Sequence, residues 1–482
     1  MTLLIYKRGP IMTKQGMVYL VGAGPGDIEL LTVKAQRLLK KADVVIFDRL
    51  VNPFLLADLK TDVKLIYCGK QPCKHLLRQE DIQTEMILHA KKGKTVVRLK
   101  GGDPSVFGRV GEEAESLKKN GITFEIVPGV TSGTAASIYA GVPVTHRDHS
   151  GSFAVVTAHR KTEDGKPDVN WKSLAQSVDT ILFYMGIKKL HIIADELIKN
   201  GKSKNTPVLV VQWGTYSRQK SVEGTLSTIT DQVNNHNIEN PAMIMVGDVI
   251  QTRQQVSWFE QKPMSGMSIL IPSKTKENHD LAEKLSEQGA DVYVKEVCAD
   301  SQNFIDKKDM LQMIDGNREI IFSNMKSFKH FLRQLGNLNI DFRTITNPLF
   351  ALNSDIQLDL KQLGLLLPLY QKKRADRPYF IDSMTRMREL KMNMLVALTR
   401  ALEEGHVNSI ICTSKEDVQD IIAFLNRAQI GSLESITFIA TSKQIEDYAR
   451  TFHLNMKVIQ DVEGCFSKMA SKREHVPIAV NG

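Results

Sequence analysis

Short apolar runs alternate with helical patterns along most of the chain, and this alternation limits the possible folds more than any other feature of the sequence. Apolar runs at 18–21, 44–47 and 95–99 are each followed by a helical pattern, at 30–41, 52–59 and 111–119. A second set of apolar runs starts at 152–157 and continues at 180–184, 207–212 and 243–246. Strands that alternate with helices are typical of α/β folds with parallel sheets. The sequence therefore predicts an α/β protein.

The length of 482 residues predicts three or four compact units, at about 150 residues for each unit. The segment QKPMSG at 261–266 has the composition of a linker. Further apolar runs at 268–271, 319–322, 409–412 and 437–439 start a second α/β region. We therefore predict an N-terminal extension at 1–15 and a first α/β region at 16–262, with lobes at about 16–142 and 143–262. The second α/β region is predicted at 263–482.

The composition argues against several classes of protein. Hydrophobic residues make up 42% of the chain and charged residues 24%, and no apolar run approaches the ~18 residues of a membrane helix. Residues 1–15 place a short apolar patch before Lys7 and Arg8, which is the wrong order for a signal peptide, so we expect a cytoplasmic location without a membrane partner. The five cysteines are scattered, which predicts reduced thiols and no metal site.

The positive charge is confined to the first region. Residues 1–262 contain 35 Lys and Arg against 26 Asp and Glu, whereas residues 263–482 contain 28 of each sign. The excess predicts an anionic ligand for the first region. Nucleic acid is the less favoured alternative, because the sequence has no basic stripe interleaved with aromatic residues.

The loop GAGPGD at 22–27, after the first apolar run, allows two interpretations. A glycine loop after one strand and an acid, here Asp48, after the next are typical of dinucleotide-binding folds. However, Asp27 stands where that fingerprint has its third glycine, and an acid there would repel a pyrophosphate. Pro25 also lacks an N–H group that could donate to a phosphate. From this loop alone, a nicotinamide site and a tight structural turn both stay open.

Further glycine motifs follow the predicted strands, at the edge where open parallel sheets bind ligands. In VRLKGGDP at 97–104, Gly101 and Gly102 would let a ligand touch the backbone, and Asp103 could accept from a ribose or amino group. The same residues would also make a good turn. The remaining motifs are FDRLV at 47–51, VPGVTSGTAA at 127–136, GVPVTHRD at 141–148, FYMGI at 183–187 and PAMIMVGDV at 241–249. In this order, the motifs closely resemble the uroporphyrinogen-III C-methyltransferases of the tetrapyrrole methylase superfamily, over about residues 16–260.

The resemblance implies a two-lobed tetrapyrrole methylase fold and a specific reaction. Such enzymes transfer two methyl groups from S-adenosylmethionine to carbons 2 and 7 of uroporphyrinogen III, which gives precorrin-2 on the route to siroheme and cobalamin. The resemblance also implies a homodimer whose substrate is a small tetrapyrrole polycarboxylate. The glycine loop would then roof a cleft between two lobes that holds a folded S-adenosylmethionine. The implied cofactor contacts are Pro25, Gly101, Gly102, Asp103, Val106, Thr131, Ser132, Met185 and Gly214.

The same resemblance implies acid–base roles for Asp48, as the proton acceptor, and Lys70, as the proton donor. These roles suit the chemistry, because a pyrrole carbon must attack the methyl group in line and the macrocycle must then lose a proton. We predict that the eight carboxylates of the substrate are bound by Arg98, Lys100, Arg109 and Arg147. Two residues depart from the family pattern: Gln71 replaces an Arg and Val110 replaces a Gly, and either change would weaken substrate contacts.

Structural alternatives and rival functions remain for this region. Taken alone, Asp48 would be interpreted as a helix cap and Met185 as a core residue, and only their flanking motifs favour site roles. We assign no ligand role to His75 or His146. The competing functions are a nicotinamide-dependent oxidoreductase and a methylase for a later corrin intermediate. The FDRLV and THRD stretches favour uroporphyrinogen III over the later intermediates.

Residues 263–482 resemble the uroporphyrinogen-III synthases, which have a two-lobed α/β fold. The resemblance rests on MSILIPS at 267–273, a helical pattern with a following strand at 280–297, and the strand ends IIFSN at 320–324 and IICTS at 410–414. The turns FALNS at 350–354 and IATS at 439–442 lack the glycine usual in that family, which would restrict the approach of a ligand to the backbone. We predict a synthase-like region that is not catalytic and that binds substrate or holds the methylase assembly together. An active synthase is the alternative.

Overall fold

The computed structural model describes residues 16–60, 62–69, 78–158, 167–300, 307–314, 319–370, 379–381, 388–428 and 433–459. The chain divides into two compact bodies. The first body consists of Met1–Lys295, Met392–Thr413 and Ile430–Gly482, and the second consists of Glu296–Lys391 and Ser414–Gln429. Strands and helices alternate in both bodies, which confirms the predicted α/β class.

The first sheet of the first body is wholly parallel, in the order β3-β2-β4-β1-β5. All four residues of β2 are buried, as expected for a strand covered by helices on both faces of its sheet. The strands are β1 (Met17–Gly22), β2 (Val44–Phe47), β3 (Lys64–Tyr67), β4 (Thr95–Lys100) and β5 (Thr123–Val127). The helices of this lobe are α1 (Val33–Leu39), α2 (Gln79–Lys91) and α3 (Val110–Lys119).

The second sheet is mixed, in the order β6-β7-β10-β8-β9. Only β6 and β7 are parallel, and the other three pairings are antiparallel. The sequence did not predict β9, which follows β8 after the short connection 213–219. A connection of that length joins antiparallel strands, because a parallel crossover takes a dozen residues or more. The strands are β6 (Phe153–Thr157), β7 (Thr180–Tyr184), β8 (Pro207–Gln212), β9 (Lys220–Thr225) and β10 (Ala242–Val246).

Helix α4 (Ser132–Tyr139) packs on the second sheet. Its residue Ala136 and the following Ala140 share a buried core with Leu182 and Leu209 of that sheet. Helix α4, which directly follows β5, therefore shares its core with the second sheet. The other helices of this lobe are α5 (Trp171–Ser177), α6 (Leu190–Lys199), α7 (Ile229–Asn235) and α8 (Arg253–Val256).

A third sheet completes the first body. It is parallel, in the order β12-β11-β18-β19-β20. The chain leaves this sheet after β12 and returns to it through helix α13, so the lobe is built from separate parts of the sequence. Its strands are β11 (Ser268–Ile271), β12 (Asp291–Val294), β18 (Ser409–Cys412), β19 (Thr437–Ala440) and β20 (Lys457–Val458). Its helices are α9 (Lys276–Glu287), α13 (Met392–Glu403) and α15 (Lys443–Arg450).

The second body contains a parallel three-stranded sheet, in the order β15-β14-β16, and an antiparallel pair, β13 and β17. Phe322, Phe328 and Phe331 form the centre of its core. The strands are β13 (Cys298–Asp300), β14 (Ile320–Phe322), β15 (Leu349–Ala351), β16 (Tyr379–Ile381) and β17 (Arg388–Leu390). The helices are α10 (Lys307–Ile314), α11 (Met325–Asn337), α12 (Ser354–Gln362) and α14 (Lys415–Arg427).

Short 3-10 helices lie at Ile28–Leu30, Pro53–Leu56, Ile187–Lys189, Asp248–Thr252 and Phe342–Thr344. In the part of the chain that the structure describes, no helix is both long enough and apolar enough to cross a membrane.

Asp291, at the start of β12, joins the third sheet to the second lobe. Its Oδ2 accepts a hydrogen bond of 2.9 Å from the Ser217 N–H, and the Ser217 carbonyl accepts one of 2.7 Å from the Gly266 N–H. Burial raises the pKa of Asp291 from 3.8 to about 7. The carboxyl group is therefore mostly protonated below about pH 7, where an ordinary Asp is ionised.

This pKa shift predicts a pH-dependent stability. Between about pH 4 and pH 7 the folded chain holds a proton on Asp291 that the unfolded chain releases, so the free energy of unfolding falls as the pH rises through this window. The scale is about 1.4 kcal/mol for each pKa unit. Asp291→Asn should remove this pH dependence, because an amide does not titrate. In urea denaturation at several pH values, the free energy of unfolding of the variant should therefore change less with pH. Parallel profiles for the variant and the original chain would contradict the assignment.

Candidate active site

Several motif residues meet at the carboxyl edge of the first sheet. The glycine loop, residues 22–27, follows β1, Asp48 follows β2, the 101–103 turn follows β4, and residues 128–131 follow β5. Because these strands are parallel, all four segments leave the sheet at the same edge. This is the edge at which open α/β sheets bind ligands.

Four glycines let the ends of β1, β4 and β5 approach one another. Gly24 and Gly102 form a backbone bridge, with N···O distances of 3.2 and 2.7 Å. A Cβ atom on Gly129 would lie 2.3 Å from the Gly102 carbonyl oxygen, and one on Gly22 would lie 2.7 Å from the Gly129 Cα. A side chain on Gly22 or Gly129 would overlap neighbouring backbone, and Gly24 and Gly102 have φ values of +75° and +67° that favour glycine. These two reasons explain why glycine recurs in three separate motifs.

Gly129→Ala should therefore disrupt the junction. The new methyl group would overlap the Gly102 carbonyl, so we expect a lower unfolding temperature and weaker binding of S-adenosylhomocysteine. Gly111→Ala is the matched control, because a Cβ atom there would meet no atom within 4 Å. Thermal unfolding and calorimetric titration of both variants measure the effect. Equal behaviour of the two alanine variants would show that the close approach is not required.

The Asp103 carboxylate holds two of these segments together. Its Oδ2 accepts from the Gly129 N–H at 3.0 Å, and its Oδ1 accepts from the Ser105 N–H at 2.7 Å. The Ser105 hydroxyl also donates to Oδ1, so only Oδ2 keeps a lone pair after these bonds. Both the turn and the ligand interpretations of this motif fit the geometry, with Oδ2 as the available acceptor.

Tyr184, at the end of β7, fixes the start of helix α4. Its hydroxyl is 2.7 Å from the Thr131 Oγ1 and also accepts from the Gly133 N–H. The next residue, Met185, has 48% of its surface exposed and a φ of +56°. Met185 is therefore not a core residue, which removes the structural alternative for it. The sequence did not single out Tyr184, although it lies inside the FYMGI motif.

Left-handed backbone recurs after the strands that carry the motifs. Phe107, Arg109, Met185, Trp213 and Thr215 all have φ values between +51° and +72°. This conformation is uncommon for residues other than glycine, and such strain concentrates at functional sites. These residues fall on three segments: 107–109, Met185 and the loop 213–219, which we call the Trp213 loop. Within it, a Cβ atom on Gly214 would lie 2.3 Å from the Ala136 Cβ, so this glycine allows close packing on α4.

Asp27 connects the glycine loop to the second lobe. Its N–H donates to the Thr215 Oγ1 at 3.1 Å, and its Oδ2 accepts from the Tyr139 hydroxyl at 2.8 Å. Burial and the nearby Asp27 raise the pKa of Tyr139 well above its usual value, which keeps this hydroxyl protonated. The residue that breaks the dinucleotide fingerprint thus bonds to protein groups, a role that the sequence did not predict.

Asp48 lies at the partly exposed end of a buried charge cluster. Its side chain is 33% exposed, and its Oδ1 accepts from the Arg98 Nη2 at 2.6 Å. Behind it, the Oε1 atom of the fully buried Glu113 accepts from the Arg98 Nε at 3.2 Å, the Lys100 Nζ at 2.8 Å and the Gln79 Nε2 at 2.9 Å. The cluster therefore combines two acids with two bases.

The two bases of the cluster differ in their electrostatics. Burial acts to lower the pKa of Arg98, but the charges of Asp48 and Glu113 outweigh it and raise this pKa. Burial and the charge of Arg98 lower the pKa of Lys100, with partial compensation from Glu113. Arg98 is thus the firmly charged partner of Asp48.

This geometry does not support direct substrate contacts for Arg98 and Lys100. They are only 2% and 4% exposed, and their charged atoms bind acids of the protein. Arg98 orients the Asp48 carboxylate, and Lys100 balances the negative charge of Glu113. The sequence feature that could have revealed this pairing is Glu113 in the GEE stretch at 111–113, because a buried carboxylate requires charged partners.

The remaining predicted residues have varied surroundings. Arg109 is exposed and forms a two-pronged pair with Glu112, at 2.9 and 2.7 Å, and Arg147 is exposed. Pro25, Val106 and Ser132 are half-buried along the loops that carry the motifs. Lys70, Gln71 and His75 lie outside the described residues. Asp48 is not a helix cap, because Asn52 caps the 3-10 helix that follows, by accepting from the Phe54 N–H at 3.0 Å.

The described residues contain no group of three or more His, Cys, Asp or Glu side chains that could hold a metal ion.

Comparisons with known proteins place the chain in a family. The sequence model of the Tetrapyrrole (Corrin/Porphyrin) Methylases matches residues 17–230. The chain is 41% identical over 427 residues to a uroporphyrinogen-III C-methyltransferase of Bacillus subtilis (strain 168), which covers 86% of this chain and 88% of the relative. It is 56% identical over 236 residues to the uroporphyrinogen-III C-methyltransferase of Priestia megaterium, which covers 49% of this chain and 98% of the relative.

A solved structure of uroporphyrin-III C-methyl transferase from Thermus thermophilus, complexed with S-adenyl homocysteine, is 38% identical. The match covers 49% of this chain and 94% of that chain, with a TM-score of 0.42. The family assignment rests on the Bacillus subtilis relative, because its match spans most of both sequences. The chain belongs to the uroporphyrinogen-III C-methyltransferase family.

Proposed function

We propose that the chain transfers methyl groups from S-adenosylmethionine to carbons 2 and 7 of uroporphyrinogen III, giving precorrin-2 for siroheme or cobalamin synthesis. The observation that carries this proposal is the position of Asp48. Its carboxylate is partly exposed, is held by the buried Arg98, and lies at the same sheet edge as the glycine loop. Membership of the family supplies the identity of the substrate.

The glycine loop, the 101–103 turn and the start of α4 would bind the cofactor. S-adenosylmethionine carries a positive sulfonium, and backbone carbonyls favour such a group more than a cluster of lysines would. Pro25, Gly101, Gly102, Val106, Thr131 and Ser132 lie on the segments that would surround it, with Met185 and Gly214 on the second-lobe loops. Asp103 would face the polar end of the cofactor while it keeps its hydrogen bond to Gly129.

Asp48 would accept the proton that the macrocycle loses after methylation. A general base must keep its carboxylate free on one side, and Asp48 is bonded to Arg98 through Oδ1. Lys70 is retained as the proposed proton donor. Arg109 and Arg147 are retained as carboxylate-binding residues, because both are exposed and guanidinium groups suit carboxylates.

Two measurements on the full chain test this function. Incubation with uroporphyrinogen III and S-adenosylmethionine should produce the absorbance of precorrin-2. Calorimetric titration should detect the binding of S-adenosylhomocysteine to the chain. Binding of NAD(H) with no heat from S-adenosylhomocysteine would instead support the oxidoreductase. Methylation of a later corrin intermediate, with uroporphyrinogen III left unchanged, would support a sister methylase. Light scattering of the same sample would test the homodimer that we propose.

We further propose that residues 263–482 have a synthase-like fold without synthase activity. The polar residues at four strand ends serve as helix caps: Asn324, Asn353, Ser414 and Ser442 each accept from the backbone N–H three residues later. Capping accounts for these polar turns without a substrate. Supplying the full chain with hydroxymethylbilane tests the proposal, because formation of the III isomer above the spontaneous I isomer would show an active synthase.

A further inference from the structure

Helix α13, from the C-terminal region, packs against the segment that follows Asp48. The Asn393 Nδ2 donates to the carbonyl oxygens of Ala57 and Leu59, at 3.2 and 3.1 Å. Nearby, the rings of Phe54 and Tyr293 are stacked with their centroids 4.0 Å apart. These contacts fix the C-terminal side of the Asp48 loop, which we define as residues 48–52.

Arg400 of the same helix contacts the Asp48 loop directly. Its side chain is 10% exposed, and its Nη2 donates to the Arg49 carbonyl oxygen at 3.0 Å. Glu404 orients the guanidinium through two bonds, from Nε at 3.1 Å and from Nη2 at 3.2 Å. The guanidinium is therefore fixed in direction and bonded to the residue next to Asp48.

The guanidinium of Arg400 also lies against two aromatic rings at the strand ends. Its Cζ is 5.3 Å from the ring centroid of Phe47 and 4.8 Å from that of Tyr67. Phe47 is the last residue of β2 and Tyr67 is the last residue of β3. Arg400 thus holds the end of the strand before Asp48 and the end of the strand that leads towards Lys70.

The other two loops of the site are tied to the same lobe. The Asn52 Nδ2 donates to the Gly26 carbonyl oxygen at 2.8 Å and to the Tyr293 hydroxyl at 3.2 Å, so Tyr293 connects with the glycine loop through Asn52. In the Trp213 loop, the Arg218 Nη1 donates to the carbonyl oxygens of Glu404 and Gly405, at 2.7 and 2.9 Å.

We propose that Arg400 is a positioning residue for methyl transfer and that the C-terminal lobe braces the methylase loops in this protein. The inference rests on the proposed function of Asp48. A reacting group must be held within about 0.5 Å of its productive geometry, and a displacement of about 1 Å can lower the rate by roughly 10²-fold. Loss of Arg400 would release the Arg49 carbonyl and remove the cation that lies against the Phe47 and Tyr67 rings.

The test compares Arg400→Met with Arg450→Met in the full chain. Arg450 also pairs with a Glu four residues away on a helix of the same lobe, but its side chain is 60% exposed, so it is the matched control. We expect Arg400→Met to lower kcat by about 10- to 100-fold, with little change in the affinity for S-adenosylhomocysteine. Arg400→Lys should restore part of kcat, because an ammonium group can donate to the Arg49 carbonyl. Arg450→Met should match the original chain.

Hydrogen exchange provides a second readout that does not need activity. Peptides that cover 44–52 should exchange faster in Arg400→Met than in Arg450→Met, because the Asp48 loop has lost its brace. Equal kcat values in the two variants, or equal exchange in these peptides, would overturn the positioning role. Absence of methyl transfer in the original chain would contradict the proposed function instead, and the exchange comparison would still decide whether Arg400 holds the loop.

Discussion

Asp48→Asn is expected to lower the turnover number for methylation of uroporphyrinogen III by roughly 10²-fold or more, the scale for loss of a general base. The amide has nearly the shape of the carboxylate but cannot accept the proton from the macrocycle. Arg98 would keep its bond to Glu113, so the fold should persist. The affinity for S-adenosylhomocysteine should be unchanged, because the cofactor loops are held by other contacts. Steady-state kinetics and calorimetric titration provide the two readings.

Asp43→Asn is the matched control for that variant. Asp43 precedes β2, whereas Asp48 follows it, and the Asp43 Oδ2 accepts from the Thr95 N–H at 2.8 Å. This bond lowers the pKa of Asp43, and an amide oxygen can accept it as well. The control should therefore retain its turnover. If Asp48→Asn is as active as Asp43→Asn, Asp48 is not the proton acceptor.

Glu113→Ala is expected to destabilise the chain by about 3–5 kcal/mol, the usual cost of removing one partner from a buried ion pair. Glu113 is 0% exposed, and its Oε1 meets both Arg98 and Lys100. Without it, two cations share the pocket and only Asp48 remains to balance them. Glu113→Gln should have a smaller effect, because its amide oxygen still accepts a hydrogen bond. The free energy of unfolding from urea denaturation measures both variants.

Glu112→Ala is the control for this prediction, since the two glutamates are adjacent in the sequence. The Glu112 side chain is 54% exposed and pairs with Arg109, which is also exposed. Exposed pairs of this kind contribute little to stability. The midpoint of unfolding should therefore be unchanged by Glu112→Ala. Similar midpoints for the two alanine variants would show that the buried cluster does not stabilise the fold.

The sequence predicted the edge of the first sheet better than the contacts of its charged residues. The apolar runs located β1, β2 and β4, and the glycine motifs followed them because strand ends and turns have strong local signals. Arg98 and Lys100 share a strand face by their spacing of two. Nothing in that spacing shows that α3 covers this face with Glu113. Their pairing depends on tertiary packing and could not be derived locally.

The C-terminal region was harder to predict for a different reason. The strands β13 to β17 have three residues each, and although the apolar run at 319–322 located β14, strands of this length are too short for a clear alternating pattern. The return of the chain at α13 to a sheet that begins at β11 is a long-range connection. Asn52 and Arg400 carried no motif signal, because their partners lie far away in the sequence. Local patterns identify elements, and distant pairings decide which of them meet.

The contact between Arg400 and Arg49 joins residues 351 positions apart. A ribosome adds about 5–20 residues each second, so Arg400 emerges roughly 20 to 70 s after the loop that it holds. During that interval the nascent methylase lobes carry the rings of Phe47 and Tyr67 without their cation. A chain that terminates before α13 would retain the cofactor motifs but lack the brace. Under the proposed role of Arg400, the active site is complete only once α13 has been synthesised.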